Sequence, residues 1–237
     1  MEPVARVAGE PGTTATSTTT TAPAPATTTT AAPPPAAASE PSTTVADTVP
    51  PTVPRPRTVY EQAWTPFAMA GPVVLRHPAA RVERVGFHES NHDGAREMAP
   101  LPTAVDPVTL ESRERGTAAR TAADVVVDPE IEIRAPVTGR VLRAGTYVLY
   151  CDYSDDFAVI EPDDRPGWEV KVLHIDGVQV RAGDRVVAGE TVLAGRATQL
   201  PFESQVDEVT ARPAWPHVHI EVVDPSIPDR PSGPGCN

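Results

Sequence analysis

Apolar and polar residues alternate through His217-Val218-His219-Ile220-Glu221-Val222. Period two is the repeat of a β-strand, whose successive side chains point to opposite faces. A strand over 217–223 directs Val218, Ile220 and Val222 into a core and sets His217 and His219 side by side on the other face. Short apolar runs bounded by turn residues recur upstream at 124–127, 131–133, 139–142, 147–150, 157–160, 169–174, 178–180, 185–187 and 191–193. Each reads as a further strand. Nothing from 124 to 223 carries a helical period. The pattern predicts a mostly β domain over residues 122–225, an antiparallel sandwich or barrel-like fold.

Ahead of it the pattern loosens. Residues 58–121 hold short apolar runs, Val73-Val74-Leu75 and Val85-Gly86-Phe87 among them, broken by prolines and polar residues. They predict a loop-rich lead-in with one or two strands, closing in a polar, arginine-rich connection over 111–121. Residues 1–57 are a Thr/Ala/Pro-rich tract almost without large apolar side chains. Such a tract cannot bury enough surface to offset its ordering entropy, and its prolines favour extended polyproline II. It predicts a disordered stalk or linker reaching about 150 Å at full extension. Surface proteins commonly carry Thr/Pro stalks of this kind, often O-glycosylated. Residues 226–237 make a short C-terminal tail.

The chain is acidic, with net charge −12 and a pI near 4.9. That balance argues against nucleic-acid binding and against adhesion to anionic membranes by charge. No window reaches the ~18 apolar residues of a membrane helix. Met1-Glu2-Pro3-Val4-Ala5 has neither the basic nor the apolar region of a signal peptide. The stalk composition nonetheless predicts an extracellular or cell-envelope location. In that setting Cys151 and Cys236 are expected to pair, closing a long loop for roughly 3–4 kcal/mol.

Histidine is scarce, six in 237 residues, so the pair at 217 and 219 calls for a chemical reason. Two imidazoles on one face can hold a metal and move a proton. Arg181-Ala182-Gly183-Asp184-Arg185-Val186-Val187-Ala188-Gly189 reads as two tight turns around a valine-rich strand. Arg134-Ala135-Pro136-Val137-Thr138-Gly139-Arg140-Val141 reads as an earlier strand, turn and strand. Taken in order with Asp124, His174 and Pro216-His217-Val218-His219, these segments resemble the M23 family. Its members are lysostaphin- or LytM-type zinc endopeptidases that cut peptidoglycan peptides. The resemblance covers residues 120–223.

The resemblance implies a duplicated-hairpin β domain with one Zn²⁺ in a groove. His219 and Asp124 are then implied zinc ligands, while His217 and His174 are implied catalytic groups that serve an activated water. The implied partner is a peptidoglycan cross-bridge or stem peptide. The chain departs from the family at one place. A ligand histidine usually stands four residues before the ligand aspartate, and here that position is Arg120, which cannot bind zinc. Two histidines, His88 and His92, lie upstream in Gly86-Phe87-His88-Glu89-Ser90-Asn91-His92-Asp93. Gly86-Phe87 resembles the short strand that precedes the family's ligand segment. Either His88 or His92 replaces the missing ligand, or His92 and Asp93 supply ligands and Asp124 is structural.

Two functions follow as expectations. The first is a secreted or surface-exposed zinc metallopeptidase acting on cell-wall peptides. The second is a catalytically inactive relative that binds wall peptide or regulates wall hydrolases, with Arg120 marking the lost metal. A biotinyl- or lipoyl-type carrier shares the turn pattern but needs a lysine at a hairpin tip, and Lys171 falls inside an apolar strand. His77 reads as a surface residue. Asp152, Asp155 and Asp156 read as a solvated acidic turn without calcium-loop spacing.

Overall fold

The computed structural model describes residues 55–230. The expected stalk, but for its last three residues, lies outside them, as do residues 231–237 with Cys236. Fourteen strands and one 3₁₀ turn follow one another. They are β1 (Tyr60–Glu61), β2 (Pro66–Ala70), β3 (Val73–Arg76), β4 (Arg81–His88), β5 (Ala99–Pro100), β6 (Val108–Thr109) and β7 (Ala122–Val127). Then come β8 (Ile133–Arg134), β9 (Gly139–Leu149), β10 (Tyr153–Pro162), β11 (Glu169–Val178), β12 (Arg185–Val186) and β13 (Val192–Ala197). The 3₁₀ turn Gln205–Val209 precedes β14 (His217–Val223).

Eleven strands build one sheet along the path β1-β4-β7-β14-β11-β10-β9-β12. β13 pairs with β11 and β8, and β6 lies on β4. A second sheet has the order β3-β2-β5. Neighbours run antiparallel except for the short β4·β6 pairing. The expected mostly β, antiparallel architecture is present, and the main path keeps two ends and does not close as a barrel.

The lead-in differs from expectation. Residues 58–121 carry six strands and not one or two, and β1, β4 and β6 belong to the main sheet. β5 and β6 have no apolar pattern of their own, and their two residues each are extended because β2 and β4 offer edges to pair with. The runs at 139–142 and 147–150 merge into β9, whose polar middle pairs with β10 through Ala144↔Ala158 and Thr146↔Asp156.

β14 forms over the predicted residues. Val218, Ile220 and Val222 are fully buried in the core with Ala123, Val125 and Val127 of β7. Burying each such side chain contributes about 1.5–3 kcal/mol. Ala182-Gly183-Asp184 makes the expected tight turn, with Gly183 at φ +95° donating its N–H to the Val141 carbonyl. Arg57 is pinned to the fold, its Nη1 donating to Glu83 Oε2 at 2.9 Å while its guanidinium stacks on Trp215. At the other end Arg230 pairs with Asp93. Cys151 is disulfide-bonded. Among the described residues no helix is long and apolar enough to cross a membrane.

Candidate metal centre

Three adjacent strands bring the polar groups together. In β14 against β7 the register places His219 opposite Asp124, and in β4 against β7 it places Gly86 opposite Asp124 and His88 opposite Ala122. His88, Asp124 and His219 therefore share one face at the middle of the sheet. Gly86 is the residue that allows the roof: a Cβ there would meet Val206 of the 3₁₀ turn at 2.9 Å and Leu110 at 3.2 Å.

Each of the three offers one ligand atom, and these atoms all lie within 4.8 Å of one another. His219 Nδ1 is 2.8 Å and His88 Nε2 3.1 Å from Asp124 Oδ1. Bonds of about 2.0–2.1 Å in a tetrahedral shell would put neighbouring donors about 3.3 Å apart. His88 carries a second sign. Its Nδ1 faces the Glu89 carbonyl at 3.0 Å, which can only accept, so this nitrogen holds the ring proton. Its Nε2 is turned toward the Asp124 carboxylate, buried and without a hydrogen-bond partner. A buried ring nitrogen left without a hydrogen bond beside a carboxylate is a donor set that a bound cation would complete. The group can hold a metal ion.

Charge follows the geometry. Burial opposes ionisation of Asp124, but His88, His217 and His219 outweigh it and hold the carboxyl well below its usual range. Burial likewise opposes a charged His219, yet the bonds to Asp124 and Glu221 push it up to about 10. His217, buried without such a bond, is pushed down to about 4 despite the attraction of Asp124. Glu221 was not expected in the site. Its Oε1 lies 3.1 Å from His219 Nε2 and accepts from the Ser90 hydroxyl at 2.9 Å. The signal was available, since the period that pairs His217 with His219 continues to residue 221.

A cleft of about 370 Å³ opens over this group, and His174 and His217 line it with His88, Asp124 and His219. Their rings meet edge to face at 5.1 Å. His174 reaches the cleft through a β-bulge. Asp156 pairs with Ile175 and Phe157 with Leu173, so His174 is the extra residue, in a left-handed conformation at φ +61°. Strict alternation from Val172 in the core would turn His174 inward; the bulge turns it out beside Leu173. Behind it, Asp155 Oδ2 lies 2.7 Å from His174 Nδ1 and accepts from the Tyr147 hydroxyl at 2.7 Å. Burial opposes its charge, but His174, Tyr147 and Thr198 hold the Asp155 carboxyl below its usual range. The solvated turn expected for Asp155 is thus corrected. It sits within β10 with its side chain 1% exposed, because its partners compensate for lost water.

Set against family models, curated proteins and solved structures, the chain matches none.

The other candidates fall elsewhere. His92 does not join the group: its Nδ1 accepts the Gly94 N–H at 3.0 Å, in a turn closed by Ser90. Arg120 points away from the cleft, donating to the Met98 carbonyl and to Glu97. His77, expected at the surface, is fully buried against Phe67 at 5.0 Å between ring centres. Burial lowers its pKa to about 4.

Proposed function

We propose that this chain is an M23-like zinc metallopeptidase, exported or held at the cell envelope, that hydrolyses peptidoglycan peptides. The observation that carries the proposal is the His88–Asp124–His219 group at the floor of a cleft shared with two further imidazoles. Two nitrogens and one oxygen suit zinc and leave a fourth position open. In this proposal His88, on the neighbouring strand, takes the place that Arg120 cannot fill. Zinc bound there would supply a Lewis acid that lowers the pKa of a water toward ~7. His217, kept neutral by burial, is placed to accept a proton from such a water and return it to the leaving amine, and His174, oriented by Asp155, to stabilise developing charge.

One observation favours a second function. Both ring nitrogens of His219 are satisfied by carboxylates, Nδ1 by Asp124 and Nε2 by Glu221. A metal-free domain that only binds wall peptide or regulates wall hydrolases would keep that bridge. The test is elemental analysis of the purified chain joined to release of free amines from peptidoglycan. One zinc per chain and hydrolysis that both disappear in His219→Ala support the peptidase. A chain with no affinity for zinc is the non-catalytic binder.

A further inference from the structure

The cleft has a second wall that the proposed chemistry leaves unused. Glu89, just past β4, organises it by accepting the backbone N–H groups of Arg113 at 3.0 Å and Arg115 at 2.9 Å together with the Ser112 hydroxyl. Glu114 at φ +56° and Gly116 at φ +81° let the chain wrap tightly around that carboxylate. The wrap brings Arg113 and Arg115 into the lining of the cleft that holds His88, Asp124 and His219.

Neither guanidinium is matched by a carboxylate at ion-pair distance among the described residues. Arg115 donates from Nη1 to the Glu89 carbonyl at 2.8 Å, and the Arg113 side chain makes no hydrogen bond or ion pair there. Other arginines that face a carboxylate are paired with it, as Arg143 is with Glu169 and Arg134 with Glu132; Arg113 and Arg115 differ from the remaining unpaired arginines in lining the cleft. The acids of the cleft are engaged already, Asp124 by His219, Glu221 by Ser90, His219 and Lys171. The open Arg113 fork, with the part of the Arg115 guanidinium not bonded to Glu89 beside it, suits a planar anion in a chain of net charge −12.

We infer that Arg113 and Arg115 form a carboxylate subsite, and that the peptide taken by this cleft carries a free carboxylate close to the bond presented to the metal group. This rests on the function proposed above and names its substrate class. The test uses the full chain and a synthetic peptidoglycan stem pentapeptide in two forms, with a free C-terminal carboxylate and as the C-terminal amide. Binding is read by fluorescence anisotropy under chelator, and cleavage separately with zinc restored. The acid form binds about tenfold more tightly than the amide, and the preference shrinks in high salt. Arg113→Gln/Arg115→Gln erases the difference between acid and amide. Arg113→Gln alone, whose side chain holds nothing in the fold, reduces it if the double variant is unstable. Equal binding of acid and amide by the wild type, or an unchanged preference in the variant, overturns the inference. An intact preference without cleavage overturns the peptidase function and leaves the subsite standing.

Discussion

Two buried histidine environments lie near the two ends of β4, and they behave in opposite ways. His77, just before the strand, is enclosed by apolar side chains with neither ring nitrogen bonded, and burial lowers its pKa to about 4. His219, across the sheet from the strand's far end, is partly buried between Asp124 and Glu221, and its pKa rises to about 10. Burial acts downward on both; the carboxylates decide the sign. The first environment is packing. The second is a place where charge is collected and can be exchanged for a cation.

The contrast can be broken most severely at the metal group. His88→Ala should lower zinc affinity by more than about 100-fold and remove hydrolysis with it. His92→Ala should leave both intact, as measured by zinc titration. The opposite result would move the site to the loop around His92 and Asp93.

At His77 the expected effect is on stability. Its folded pKa lies below the unfolded value of 6.5, so the unfolded chain binds the extra proton between those values. Stability is therefore full above about pH 6.5 and declines as pH falls toward 4, by at most about 3 kcal/mol. Denaturant titrations from pH 7 to 4 should show this slope flattened in His77→Leu, even if that variant starts less stable. An unchanged slope would assign the acid sensitivity to other groups.

Asp155→Asn should keep zinc and the fold but slow hydrolysis by about 100-fold, because His174 loses the partner that fixes its proton on Nδ1. A change in KM with kcat untouched would argue that Asp155 only shapes the cleft. The smallest effect belongs to Arg120→Ala. It removes a half-exposed pair with Glu97, so stability should move by less than about 1 kcal/mol and zinc content not at all.

Much of the fold was legible because one chemical rule, alternation, governs each strand separately. β14 could be bounded residue by residue, and its inward set of Val218, Ile220 and Val222 follows from period two alone. What alternation cannot see is its own interruption. His174 lies in an apolar run whose rhythm points it inward, and a single unpaired residue in β11 reverses that. Asp155 was misjudged for a related reason: three acids in five residues resemble a solvated turn until β11 is laid beside them. The short strands β5 and β6 have no pattern to find, since their neighbours' edges make them strands. The choice between His88 and His92 depended on the register of β4 against β7, which places His88 beside Asp124 and which local sequence does not encode.

The clamp at Arg57 has a mechanical consequence. Tension on the chain ahead of it enters the fold through the Arg57–Glu83 pair and the β1·β4 ladder, both of which grip β4 upstream of His88. Load is thus delivered to the strand that carries one arm of the metal group, along its length and in shear across its pairing with β7. A domain pulled by that end would load the strand that carries His88 before its outer hairpins.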